Sequence, residues 1–392
     1  MLGDHTKAVK EAKRMPGIKR HHQESENPSK SEYIFGHAWG CVSLLVGNHV
    51  KRFSLPLYLQ IQDGLRAMSG WEISGQENGK QEKESMNTKI IAQAEVAASQ
   101  LKGDSLIALD RAFLSVAVLK RLLQANLRLV GKSLFIVTKA KSNCVAYGEP
   151  PKKIPGTRGA PRKKGETFKL KDFFTNSTEI FCEEELFLYG VKRLVQYKVI
   201  DLLWGQKLYQ KLRFVLVRYD GRCEILVTTN LELGAKEVIE TYGCRFKIEC
   251  AFRSMKQSLG TFAYRFWSRS MPKLNRYYKK DAPCPLSSVM DEKDRLRIQR
   301  TVRAIEMYAL CSCIAMGLLQ LLSLELSAAE DFKEVRYLRS KSNTYASEET
   351  MMAYMRHQIY SCLSKNAPLA VIQIILRKQK WKESDIDLEN AA

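Results

Sequence analysis

The chain has 392 residues, 45% apolar and 27% charged. That is ample for a buried core and excludes a mostly disordered, collagen-like or small disulfide-scaffold protein; at ~150 residues per domain it gives roughly two or three domains. Lys and Arg number 63 against 42 Asp and Glu, a net charge of +21, which points to an anionic partner, nucleic acid ahead of a membrane surface.

The first 140 residues read as a mixed α/β unit. Ser31–Val46 and Val50–Asp63 are β-rich runs joined by a Gly47-Asn48-His49 turn, and a further short strand is expected at the very N-terminus. Gly64–Lys83, rich in Gly, Gln and charge, predicts an exposed loop. Met86–Leu101 carries Ile90, Ile91, Ala94, Ala97, Ala98 and Leu101 at helical spacing. Ser105–Asp110 is a short apolar strand ending in a carboxylate, Phe113–Leu129 a second helix, and Ser133–Thr138 a second short buried strand. Strand meander, helix, strand, helix, strand resembles the order of a ribonuclease-H-like domain.

Lys139–Lys171 changes character, with ten basic residues against Glu149 and Glu166, four prolines and four glycines. It reads as an irregular basic segment, either a solvated loop or a phosphate contact. Glu185–Asn230 returns to a β pattern, with a hairpin of Leu212–Arg218 and Cys223–Thr229 around Asp220-Gly221. Ala235–Gly260 predicts one long helix and Lys273–Lys293 a linker. Leu296–Trp381 is mostly helical, and its apolar stretch Met307–Leu324 predicts a buried core helix rather than a membrane span of ~20 residues. The expected division is 1–139 (first part of the core), 140–233 (β-rich basic insertion), 234–272 (core helix and following segment), 273–295 (linker) and 296–392 (helical C-terminal region).

Ten scattered cysteines form no CxxC pair, so a reducing compartment is expected, with Cys311 and Cys313 as buried thiols. Met1–Arg20 is polar and basic, without the apolar core of a signal peptide. His5, His21, His22 and His37 lack Cys or acidic partners at ligand spacing, so no metal is expected there.

In the 235–260 helix, Tyr242, Arg245, Glu249 and Lys256 share one stripe: at 100° per residue the last three fall at about 300°, 340° and 320° from Tyr242. Ile248, Phe252, Met255 and Leu259 form a neighbouring apolar stripe. Spacing alone leaves two readings open, a solvated face with an Arg–Glu pair and a surface meeting both phosphate and metal. Tyr242-x2-Arg245-x3-Glu249-x6-Lys256 resembles the Tyr-Arg-Glu-Lys signature of bacterial insertion-sequence transposases with a DDE active site. The text around it, Gly36-His37-Ala38-Trp39-Gly40, Leu55-Pro56-Leu57, Asp110-Arg111 and Gly3-Asp4-His5-Thr6 resemble the same family, from about residue 2 to 270.

The resemblance implies an α/β, ribonuclease-H-like fold and cut-and-paste DNA transposition. Asp4, Asp110 and Glu249 would be catalytic and would hold two Mg²⁺ ions (Mn²⁺ as substitute), ~3.5–4 Å apart in such sites. Tyr242, Arg245 and Lys256 would hold DNA. Implied partners are double-stranded DNA, as element ends and target, and a second copy in a synaptic homodimer, with no membrane, in a bacterial cytoplasm at the nucleoid. Asp63, before Gly64, suits a turn, and Asp104 suits solvent. Relatives carry apolar residues before the first aspartate and an N-terminal helical region, so an N-terminally truncated member with weak end-specific binding is expected. The alternatives are a catalytically inactive, basic DNA-binding remnant and a different ribonuclease-H-like nuclease such as a resolvase.

Overall fold

In the computed structural model the described residues are 1–22, 32–48, 51–65, 68, 71, 84–152, 160–175, 180–188, 191–275, 284–326 and 345–365. They fall into two compact units, Met1–Ile314 and Ala315–Ala392.

The larger unit is an α/β structure built on one mixed sheet of twelve strands. β1 (Leu2–Val9) lies antiparallel to β3 (Tyr33–Gly47) and parallel to β5 (Ser105–Leu109), which is parallel to β6 (Leu134–Lys139). β2 (Lys19–His22) and β4 (Arg52–Ile61) pair antiparallel with β3. Beyond β6 the sheet continues through β12 (Arg222–Thr228), β11 (Gln210–Tyr219) and β10 (Val191–Trp204), all antiparallel. β7 (Val145–Tyr147), β8 (Thr167–Lys169) and β9 (Cys182–Leu188) complete it. The β-rich stretch after β6 therefore extends the same sheet rather than forming a separate one. Between β11 and β12, Asp220 (φ 48°) and Gly221 (φ 72°) both take the left-handed conformation that a two-residue hairpin turn of this hand requires.

Strand alternation sorts the core onto two faces. Ile107, Leu109, Leu134 and Ile136 pack against α1 (Met86–Gln100) and α2 (Val116–Arg128), while Leu106 and Val137 face the cluster that holds Val238 and Ile239 of α4 (Ala235–Gly243). Ser85 caps α1 by accepting the Thr88 N–H, and Ser115 caps α2 by accepting the Val118 N–H. The second helix thus starts three residues later than its apolar pattern predicts, because Arg111–Phe113 makes a 3₁₀ turn. α3 (Asp172–Thr175) is a single turn.

The helix expected over 235–260 is two helices, α4 and α5 (Phe246–Gln257). Between them the hydrogen bonds shorten to three-residue spacing, with Arg245 N–H to Tyr242, Lys247 N–H to Cys244 and Ile248 N–H to Arg245. Gly243 weakens the helix there, and the halves serve different strands: α4 packs on β12 and β9, α5 on β4 and β1.

α6 (Glu292–Glu325) is long and apolar enough to cross a membrane by length and composition. The expected buried core helix over Met307–Leu324 is corrected to one buried along a single stripe. Ile298, Val302, Ile305, Ala309 and Cys313 form its buried stripe in the larger unit, but Met307, Ile314, Leu318 and Leu321 are exposed. Cys311, expected to be buried, is exposed as well, since it lies two residues from Cys313 and hence on the other side of the helix. In the smaller unit, Ala346 and Met351 pack with Leu319 and Leu322, Gln320 donates to Glu348, and Ser323 donates to the Ala346 carbonyl. α7 (Glu348–Lys365) follows. The basic segment expected to be irregular contains the β7–β8 hairpin, with Lys153 and Arg158 outside the described residues. Most of the loop expected at 64–83, and 276–283 of the linker, lie outside them too.

A β-carbon at Gly36 would fall 2.0 Å from the Ala8 carbonyl oxygen, whereas one at Gly148 would meet nothing nearer than 3.4 Å. Gly36→Ala is expected to force β1 and β3 apart and to destabilise the chain by at least ~2 kcal/mol. Gly148→Ala is expected to stay near the parent in a urea-unfolding midpoint.

Candidate active site

β1 is the origin of the site. Its alternation turns Gly3 towards Leu109 and Ile90, on the α1 face. Asp4 points to the other face, where α5 packs on β1 and β4. In the parallel pair, Leu2 lies opposite Ala108 and Gly3 opposite Leu109, so Asp4, within β1, and Asp110, just past the carboxyl end of β5, are the next residues in step. Thr138 on β6 donates its hydroxyl to the Asp110 carbonyl and holds that strand end in place.

Glu249 arrives from α5. Its partner Arg245 donates Nη2–H to Glu249 Oε1 at 2.6 Å and places Nη1 3.4 Å from Asp4 Oδ2. One guanidinium thus joins two carboxylates 245 residues apart in the chain (249 − 4). Burial opposes the charge on Arg245, but the hydrogen bond to Glu249 and the attraction of Glu249, Tyr242 and Asp4 together outweigh it and hold the guanidinium above its usual pKa. The break after α4 puts Glu249 in the first turn of a new helix, where the helix dipole favours a negative side chain.

Asp4 retains a penalty despite this partner. Burial, reinforced by Asp110 and Glu249, pushes its carboxyl from the ordinary 3.8 up to about 6, although the His5 N–H, which Asp4 accepts at 2.7 Å, and Arg245 pull the other way. Burial chiefly keeps the Tyr242 phenol well above its usual pKa, Asp110 and Glu224 adding to it, and Tyr242 is hydrogen-bonded to Arg245. The phenol is therefore a neutral donor at any working pH. The expected four-residue stripe is split by the helix break: Tyr242 stands on α4 and the other three with α5, and the Tyr242–Arg245 bond spans the break. Lys256 is exposed, two turns beyond Glu249 on the same helix face.

Among the described residues no three His, Cys, Asp or Glu side chains stand close enough together to hold an ion, and Arg245 provides the positive charge between Asp4 and Glu249. The donor set nonetheless suits a hard divalent cation. All three groups are carboxylates, and burial chiefly keeps the Asp4 carboxyl raised to about 6 although Arg245 lies beside it.

The rival carboxylates are occupied elsewhere. Asp63 accepts the Gly64 N–H and pairs with Lys19, and Asp104 accepts the Ser133 N–H at the surface. Two residues around the site were missed by pattern reading. His5 stacks on Phe113 with ring centroids 5.5 Å apart and bonds the Met86 carbonyl through Nε2, tying β1 to the turn after Asp110. Arg52 of β4 donates to the Cys244 thiol at the helix break. A tally of residue types carries no signal for either.

The Gly-His-Ala-Trp-Gly segment supports the site from a distance. His37 Nε2–H donates to the Pro16 carbonyl and Nδ1 accepts from the Tyr264 hydroxyl, which also accepts from Trp39 Nε1–H. Burial lowers the His37 pKa to about 4, so the ring is neutral, as this pattern of donors requires. The network fastens the chain beyond α5 to the sheet. No protein-family model, curated protein or solved structure matches this chain.

The raised Asp4 pKa has a stability consequence with a defined sign. Between pH 3.8 and about 6 the folded chain keeps a proton that the unfolded chain has released, so this group's contribution to stability falls as pH rises through that window and stays low above it. Asn at this position keeps an oxygen for the His5 N–H without the charge. Asp4→Asn is expected to raise stability at pH 7.5 in EDTA by roughly 1–3 kcal/mol, with no gain at pH 3.5, in urea titrations at both pH values. Equal stability of parent and variant at pH 7.5 would contradict the assignment.

Proposed function

We propose that the chain is a DDE-type DNA transposase of the insertion-sequence class, which cleaves DNA and transfers the cut strand in a divalent-metal-dependent reaction. The observation that carries this reading is that Asp4 of β1 and Asp110, just past the end of the neighbouring parallel strand β5, stand in step while Arg245 joins Asp4 to Glu249 of α5. The strand order β4-β3-β1-β5-β6, with three antiparallel strands followed by two parallel ones, supports a ribonuclease-H-like core.

In this reading Asp4, Asp110 and Glu249 would hold the metal. Mg²⁺ bound there supplies Lewis-acid polarisation of phosphate oxygens. Arg245, held cationic between two carboxylates, and Tyr242, held as a protonated phenol, donate to phosphate oxygens and fix the strand. Lys256, exposed two turns further along α5, contacts the backbone beyond the cut. In the first step water oxygen bonds to phosphorus, the phosphorus–O3′ bond breaks, and the freed 3′-hydroxyl carries the leaving proton. That hydroxyl then attacks a second phosphodiester. The +21 charge supports binding of double-stranded element ends and target DNA. Two ends require two copies, as a synaptic homodimer, and the location is a bacterial cytoplasm at the nucleoid.

One observation favours the second reading, a non-cleaving DNA-binding remnant: Arg245 already pairs with both Asp4 and Glu249. Glu249→Gln separates the two. On supercoiled plasmid with Mg²⁺ or Mn²⁺, the parent is expected to nick and the variant to lose at least 100-fold in rate, with DNA affinity within about threefold of the parent at fixed salt. Nicking unchanged by the substitution overturns the catalytic assignment, and salt-sensitive binding with no nicking by the parent establishes the remnant.

A further inference from the structure

Four residues after α5 form a surface that the carboxylate site does not use. Arg265, Phe266, Trp267 and Arg269 all face solvent, with Phe266 at 40% and Trp267 at 59% exposure. The backbone beneath them is held tightly. Tyr264 is buried in the network with His37 and Trp39. Lys10 sits 3.6 Å from the centre of the Tyr264 ring and donates to the Phe262 and Tyr264 carbonyls. Ser268 is buried and its N–H donates to the Arg14 carbonyl, while the Arg14 guanidinium donates to the carbonyls of Arg269 and Met271. Phe266 leans edge-on against Tyr308 at 6.0 Å, which leaves Trp267 as the outermost ring.

A lone exposed aromatic needs no explanation. Two adjacent ones between two arginines, on a segment fastened at both ends, form a preorganised aromatic and cationic ledge. An indole face stacks on a nucleobase only where the base is unpaired, and flanking guanidiniums match the phosphates on either side of it. With the chain's charge of +21, the complementary occupant is a nucleic acid strand.

We infer that Arg265, Phe266, Trp267 and Arg269 form a second DNA contact, in which an unpaired base stacks on Trp267 while Arg265 and Arg269 hold its neighbouring phosphates. This rests on the reading of the chain as a DNA-binding protein but not on its cleaving DNA. It adds a preference for melted or single-stranded DNA to the duplex binding proposed above.

The test uses the full chain in EDTA, with a fluorescent 20-nucleotide oligo(dT) and a duplex of the same length, across a salt series. Trp267→Ala is expected to weaken oligo(dT) binding about 5- to 100-fold, to leave duplex binding within twofold, and to unfold at the parent's temperature. Trp267→Phe is expected to restore most of the loss. Arg265→Ala with Arg269→Ala is expected to flatten the oligo(dT) salt dependence by about 1.4 in log–log slope. Oligo(dT) affinity unchanged in Trp267→Ala, with the parent binding DNA, overturns this inference alone. A parent that binds neither probe overturns it together with the proposed function. Loss of self-association or of binding to anionic lipid vesicles in Trp267→Ala, in place of oligo(dT) binding, assigns the ledge to another partner and overturns the inference.

Discussion

The parallel pairing of β1 with β5, with β3 on the other edge of β1, is the constraint from which the rest of the larger unit follows. A strand flanked on both edges has no freedom to slip, since a shift of one residue would send every side chain to the opposite face. Gly3 and His5 then belong to the α1 side and Asp4 to the α5 side. The absent side chain at Gly3 lets Ile90 and Leu109 close over the strand, and His5 clamps it to Phe113 and the start of α1. Packing on one face therefore holds the carboxylate on the other.

That carboxylate is held under tension. Removing a charge from water is costly unless it is paired, and Asp4 shares its one guanidinium with Glu249. An effective dielectric constant near 20 gives opposite charges about 3 Å apart roughly 5 kcal/mol of attraction, yet burial and the neighbouring carboxylates still leave Asp4 raised to about 6. Within a chain with a surplus of 21 positive charges, Asp4 and Glu249 bring negative charge to one place, and Arg245 pairs with both. Under the proposed function this is the arrangement a metal-assisted phosphoryl transfer uses: cations over the surface for the DNA backbone, carboxylates reserved for the metal.

The break between α4 and α5 carries as much of the design as the strands do. A straight helix over 235–260 would present Tyr242 and Glu249 on one line but could not pack both halves on the strands they cover. With the break, α4 rests on β12 and β9, α5 rests on β4 and β1, and Glu249 moves to a helix N-terminal turn. The segment after α5 is then anchored by Tyr264 to His37 and Trp39, so the Gly-His-Ala-Trp-Gly segment acts through packing rather than by touching the carboxylates. The aromatic and arginine ledge is mounted on that anchorage, which ties it to the same rigid body as the acidic site.

Much was legible from sequence because it depends on near neighbours. The apolar periodicity of Ile90, Ile91, Ala94, Ala97 and Ala98, the short apolar strand that ends at Asp110, and the Asp220-Gly221 turn are local properties of backbone sterics and side-chain spacing. So is the spacing that brings Arg245 and Glu249 within reach of each other, four residues apart. Other features were decided by the tertiary structure. The helix break at Gly243 and Cys244, the exposed side of α6 with Cys311, the neutral His37 buried against Tyr264, and Arg245 reaching Asp4 across 241 residues all depend on which surfaces meet. Residue spacing encodes which face a side chain takes on its own element. Only packing decides whether that face meets water, a strand or a distant charge, and with it how strongly each carboxylate is desolvated.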